Sequence, residues 1–361
     1  MKKTATILFS LLTAFLLQAT VRTVSNNPST LAQYNTIQAA INASASGDTI
    51  YVHGSPLDYA GFTMTDIRLT IIGPGWGPDK NFPFTARVGA VTITGALSSN
   101  SEFHGLTFIA AFNAYTGTHP DGLKFYRNEI QNYIYLQGST PNLYKDYVFQ
   151  GNFFNTGTIN GTNGSTFTNI LVQNNIFLGS NYGTANVYSL TVCSNVLFDP
   201  TLWYTAAVSP TVCFSNDCRN LLLTNNIFVE RNAAANTSFC TFNNNITFNA
   251  GVNNPWAVNN NSNAGGNVEN QDPQMADQVS VNNGTANPLL NFTIAAGPAN
   301  NSSSDTPTPK DMGLLYDATG SLNWTNSRTS RIPYIYSMNI SNPTISAGGT
   351  LNVQVEGRKS N

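Results

Sequence analysis

Along the middle of the chain, apolar residues alternate with polar ones, meet an asparagine, and resume as a short apolar run. The pattern recurs at 123–130, 147–154, 170–177, 190–198, 221–228 and 240–248, with a worn copy at 265–270. Aligned on the asparagine, the copies place Asn128, Asn152, Asn175, Asn195, Asn226, Asn245 and Asn267 in one column, separated by 24, 23, 20, 31, 19 and 22 residues. A repeat of about 23 residues is shorter than helical-pair repeats, which need about 33 or more, and it fits one coil of a parallel β-helix.

The aligned columns set the register. Five before each Asn stand Leu123, Tyr147, Ile170, Leu190, Leu221 and Cys240; three before stand Phe125, Phe149, Val172, Val192, Leu223 and Phe242. Both columns are apolar and are expected to face inward. The column two before holds Tyr126, Gln150, Gln173, Cys193, Thr224 and Asn243 and is expected to face solvent, which is the period-2 alternation of a strand. A second short strand follows the Asn. The Asn itself is read as the bend residue, because it tolerates the left-handed region better than other non-glycine residues. Stacked amides about 4.8 Å apart also hydrogen-bond as a ladder. Glu129 stands alone in a column otherwise filled by Phe153, Ile176, Val196, Ile227 and Ile246.

The ends differ from this middle. Lys2, Lys3 and an apolar stretch at 7–17 read as an export signal over 1–20, cleaved near Ala19, and place the mature chain outside the cytoplasm of a bacterium, secreted, periplasmic or at the cell surface. The expected organisation is a β-helix over 21–325, opened by a cap at about 34–55, and a β-strand tail over 326–361 packing on it. Charged residues make up only 9% of the chain and net charge is −2, which argues against nucleic acid as a partner. Asparagine, with 50 copies, outnumbers all charged residues together, yet 41% hydrophobic content separates the chain from disordered ones. No later stretch is apolar enough to span a membrane, and the protein is expected to be a monomer.

Several segments resemble the right-handed parallel β-helix, or pectin-lyase-like, superfamily. TIQAAINASASGDTIYVHGS (36–55) resembles its opening cap, with an amphipathic helix at Ile37, Ala40 and Ile41. LTIIGPG (69–75), VTITG (91–95) and FHGLTF (103–108) resemble early coils, and NQDPQM (270–275), LLNFTIAAGPA (289–299) and KDMGLL (310–315) its closing segment, with Gly297 where Ser is usual. The resemblance implies an all-β right-handed solenoid and, more loosely, a polysaccharide or cell-surface glycan as partner, processed by a lyase or hydrolase. The hydrolase carboxylate signatures are absent. No repeated acidic column exists to supply the six to eight oxygens that Ca²⁺ prefers, so no cofactor is expected.

The densest polar cluster is THPDGLKFYRNE (118–129), with Lys145 on the next coil at the position of Asp121. His119, Asp121, Lys124, Arg127 and Lys145 are the catalytic candidates: His119 as a general base, Lys124 or Arg127 to neutralise a uronate carboxylate. The same residues also read as a turn at Asp121-Gly122 and a surface ion pair from Asp121 to Lys145. Tyr126, Tyr133, Tyr135, Trp203 and Tyr204 are candidate stacking platforms for sugar rings. Cys213 and Cys218 bracket a short loop and are expected to form a local disulfide; no Cys/His spacing suggests a metal. Two readings stay open: an exported polysaccharide-active protein, and a non-catalytic surface or adhesive β-helix.

Overall fold

In the computed structural model the described residues are 19–358, without 81, 115–117, 137–141, 162–163, 180–184, 206–210, 288, 317–322, 330–331, 341–349 and 351–352. The apolar stretch of the expected export signal lies outside them. The chain winds into an all-β parallel solenoid of about 9 turns. Among the described residues, most strands stack into three long sheets. The first has 12 strands and runs from Val21–Val24 to Ser262–Asn263; the second has 8, from Arg87–Val88 to Ile246–Phe248; the third has 7, from Phe62–Thr65 to Phe214–Ser215. Strand Val21–Val24, which the alternation does not reveal, pairs in parallel with Thr49–Val52. Between them helix Ile37–Asn42 buries Ile37, Ala40 and Ile41, with Thr36 Oγ1 accepting from Ala39 N at 3.1 Å as its N-cap.

A buried amide ladder joins the coils between the first and second sheets. Asn152 Oδ1 accepts from Asn128 N (2.9 Å) and Asn128 Nδ2 (3.1 Å), and Asn175 Oδ1 does the same for Asn152 (2.7 and 2.9 Å). Each Nδ2 also donates to a strand-end carbonyl of the preceding coil: Asn128 to Phe103 O, Asn152 to Phe125 O, Asn175 to Phe149 O. The pattern repeats through Asn226, Asn245 and Asn267. Satisfying both protons and the oxygen is what allows a polar side chain at 0% exposure.

Two expectations need correction here. Asn195 is not a rung. Thr201 stands opposite Asn175 and donates Oγ1 to Asn226 Oδ1 at 2.5 Å, so the separations become 24, 23, 26, 25, 19 and 22 residues. Val196 and Phe198 then stack on Ile170 and Val172, Val192 is exposed, and Cys193 is buried. The left-handed bend residue is also not the rung but the residue before it: Arg127, Gly151, Asn174, Asn225, Asn244 and Gly266 all have φ between 50° and 66°. Asn195 (φ 54°) belongs to a separate exposed bend column leading into the first sheet, where its Nδ2 donates to Asn169 Oδ1 (2.9 Å) and Asn169 Nδ2 to Asp146 Oδ1 (2.5 Å).

The second sheet is buried on both faces. Phe108, Ile130, Phe154, Phe177, Trp203 and Phe228 point into the solenoid, while Phe153, Ile176, Leu202, Ile227 and Ile246 point outward yet are covered. The cover is the chain after the last coil, through Met275, Phe292, Ile294, Met312, Leu314 and Trp324. It returns along the stack, held by the left-handed bend residues. Asn244 Nδ2 donates to Ser302 O, Asn225 Oδ1 accepts from Ser304 N, and Asn174 Oδ1 accepts from Leu315 N. Trp324 then meets Trp76, which stacks on Phe153 at 5.2 Å. The outer column from Phe153 to Ile246 therefore faces this returning segment and not the interior of the coils. Within the tail, Tyr334–Ile340 and Val353–Arg358 pair antiparallel with each other, and among the described residues with no other strand.

The expected disulfide is also corrected: Cys193, Cys213, Cys218 and Cys240 are all buried free thiols. Cys213 and Cys218 are separated by a bend at Asn216 and Asp217, both left-handed, and each lies within the solenoid core. Burial pushes Cys213 and Cys218 up to about 12 and Cys240 to about 11, which keeps them in the unreactive thiol form.

Two measurements check this account. Asn152→Ala strips two donors and a carbonyl of their buried partner and should cost about 3 kcal/mol, whereas Asn195→Gly, at an exposed bend whose left-handed backbone glycine adopts without strain, should cost under about 0.5 kcal/mol in denaturant titrations. An aromatic-disulfide thiol reagent should label no cysteine in the folded protein and all four after denaturation without reductant; a missing pair would restore the disulfide.

Candidate functional site

The clustered charges of 118–129 divide among three environments. Lys124 and Tyr126 lie on the outer face of the first sheet, where Lys124 stands opposite Glu102 and Tyr126 opposite His104. Lys124 Nζ is 3.0 Å from Glu102 Oε1, and His104 Nε2 donates to Glu102 Oε2 at 3.0 Å. The His104 ring, 2% exposed, stacks on Tyr126 at 4.9 Å. The hydrogen bond from His104, aided by Lys124 and opposed by burial, lowers Glu102 to about 2, so it is ionised at neutral pH. Glu102 in turn raises Lys124 above the ordinary ammonium range.

Glu102 and Lys124 open on a cleft of about 150 Å³ that they share with Gly47, Arg68, Leu69, Thr70 and Asn100. Arg68 is exposed at its rim. Beyond Asn100, whose N donates to Asp121 O, lies the second group. Lys145 Nζ is 3.6 Å from Asp121 Oδ2, the cross-coil ion pair that the alignment implies. His119 Nε2 donates to Leu143 O at 2.7 Å, lies 3.8 Å from Asp121 Oδ1, and packs its ring 4.3 Å from that of Tyr144. Five basic or aromatic groups thus gather on adjoining coils: Arg68, His104, Lys124, Tyr126 and Lys145.

Other candidates are placed elsewhere. Arg127 is the left-handed bend residue before Asn128 and is buried, so it does not join Lys124 on the surface. Glu129 does not face the solenoid core: it sits opposite Thr107 and Phe153 on the outer side of the second sheet and accepts from Thr107 Oγ1, Gln131 Nε2 and Asn155 Nδ2. Tyr133 and Tyr135 stack on one another at 5.2 Å on the third sheet, a different face.

Trp203 and Tyr204 are not surface platforms, and both are 0% exposed. With Thr201 on the ladder, Trp203 falls in the inward column and stacks between Phe177 (4.0 Å) and Phe228 (5.9 Å). Tyr204 points outward but lies under the returning segment, its Oη donating to Thr285 O.

Sequence alignment on asparagine misses Glu102 and His104 because Leu106 occupies the rung of their coil, stacked before Asn128. Aligning FHGLTF by its apolar columns instead would have placed both residues beside Lys124 and Tyr126. Among the described residues no helix is long and apolar enough to cross a membrane. No known family and no curated protein matches this chain.

The carboxylate at the centre of this site generates a pH test. Because Glu102 is depressed in the folded chain relative to about 4.3 when unfolded, its pairing stabilises the protein above about pH 4 and that contribution is lost as pH falls toward 2. Wild type should therefore exceed Glu102→Gln in thermal stability at pH 7, and the difference should vanish near pH 2.

Proposed function

We propose that this is an exported protein whose outer first-sheet face, from Arg68 across Lys124 to Lys145, binds an anionic polysaccharide. The observation that carries the reading is the gathering of Arg68, Lys124 and Lys145 beside the partly exposed Tyr126 ring on adjoining coils of a chain in which only 9% of residues are charged. Cations recognise uronate or sulfate groups by charge-assisted hydrogen bonds. Ring faces provide the apolar complement of a sugar. Adjoining coils of a solenoid set these groups side by side along one face, as a polymer requires. The resemblance of the chain ends to pectin-lyase-like proteins and the apolar leader before residue 20 support the exported, right-handed reading.

Binding is favoured over turnover by the state of the candidate bases. Lys124 is held protonated by Glu102 and so cannot abstract a proton at neutral pH. His119 has its Nε2–H committed to a carbonyl and is only 15% exposed. The chain is accordingly read as a glycan-binding or adhesive surface element.

Replacing Lys124 and Lys145 together with Met should weaken binding to an acidic polysaccharide about 10- to 100-fold, from about 1.5 kcal/mol or slightly less per lost charged contact, in affinity electrophoresis or calorimetry. The folding transition serves as the control. Release of unsaturated uronides, followed by ultraviolet absorbance, should be undetectable; its appearance in wild type and loss in His119→Ala would favour the lyase reading.

A further inference from the structure

The bend column leading into the first sheet selects its residues strictly. Read along the stack it holds Asn100, Gly122, Asp146, Asn169, Asn195, Asn220, Phe239 and Asn260, all with φ between 53° and 66°. Seven of these eight are Asn, Asp or Gly, the types that enter the left-handed region at least cost. Phe239 is the exception, a bulky aromatic at φ 57° whose side chain gains nothing from the core because it is 54% exposed. Neither backbone preference nor burial accounts for a phenylalanine here.

Beside it opens a cleft of about 440 Å³, lined by Asp217, Asn236, Thr237, Ser238, Asn259 and Asn260. Phe239 sits at its edge: Ser238 precedes it, Asn260 follows it in the column, and its N donates to Asn259 O. The lining amides are anchored by their nitrogens. Asn236 Nδ2 donates to Phe214 O (3.0 Å) and Asn259 Nδ2 to Ala234 O (2.8 Å), which leaves each Oδ1 as a fixed acceptor with no partner among the described residues. Asp217 adds a carboxylate already neutralised by Arg219 Nε at 2.7 Å. The cleft is thus rich in acceptors without net charge, and the exposed Phe239 adjoins three of its lining residues, Ser238, Asn259 and Asn260.

We propose that this cleft is a separate binding site for a neutral saccharide, whose hydroxyls donate to Asn236, Asn259 and Asp217 while the C–H face of one sugar ring stacks on Phe239. The ion pair at Asp217 disfavours a cation, and the absence of unpaired cations in the lining disfavours an acidic sugar. The site shares the glycan theme of the proposed function but none of its residues, so the two stand or fall separately.

The test uses the full chain, a panel of neutral oligosaccharides and an acidic polysaccharide, read by saturation-transfer NMR and calorimetry. Wild type is expected to bind at least one neutral oligosaccharide. Phe239→Asn, which restores the residue type of the column, should raise the melting temperature while weakening that binding 10-fold or more, and Phe239→Tyr should retain it. Neither variant should change binding of the acidic polysaccharide, which reports on the Lys124 face alone. The proposal is overturned if no neutral saccharide binds, if Phe239→Asn binds as wild type does, or if binding requires a divalent cation and is lost in chelator.

Discussion

A buried asparagine side chain carries two donor protons and an acceptor oxygen, and each must find a partner inside the protein. In this solenoid the partners are supplied by the neighbouring coils. Asn152, Asn175, Asn245 and Asn267 each accept two bonds from the coil before and donate one to that coil's strand-end carbonyl. The ladder therefore fixes the register of successive coils at a place where both sheets turn. Coil length varies from 19 to 26 residues, yet the pairing at the rung is kept. Thr201 shows how tight the requirement is: the rung tolerates a hydroxyl, but what stands there still bonds the next amide.

The bend before each rung links this internal order to the rest of the chain. Asn174, Asn225 and Asn244 are left-handed bend residues beside the rungs, and their side-chain amides hold another segment. The returning segment after the last coil uses them, and its Met, Phe, Leu and Trp side chains close over the outer apolar column of the second sheet. One short motif, two asparagines in succession, thus builds the coil with its second residue and anchors the cover with its first. The cover consumes much of the second sheet as a surface, leaving the first and third sheets as outward faces, and the Glu102–Lys124 pair sits on the first.

That arrangement explains the distribution of candidate chemistry. Outer positions of the first sheet run from Glu102 and Lys124 to Val148, Leu171, Leu197 and Leu222, so charge is confined to the early coils and gives way to an aliphatic stripe. Glu102 joins His104 to Lys124 and holds both in place, which favours a fixed recognition surface over a proton-transfer site. Phe239 marks the opposite end of the same sheet, where an aromatic occupies a bend that asparagine would fill with less strain.

The sequence by itself determined the solenoid, its inward columns in most coils, six of the seven rungs, and the Asp121–Lys145 pair, because each is a local pattern repeated at a near-constant spacing. It did not determine which coil positions align where the repeat is broken. Asn195 satisfied the local pattern but only stacking against Asn169 and Asn175 decided between two bend columns, and that choice carried Trp203 inward. Glu102 and His104 were hidden because a leucine held their rung. Tyr204 and the Phe153–Ile246 column were assigned to the wrong surroundings because burial of an apolar residue does not reveal which element buries it. Nothing local in 275–328 states that it returns along the second sheet. Only the tertiary structure, through long-range contacts separated by up to 141 residues, decided which faces remain open to a ligand.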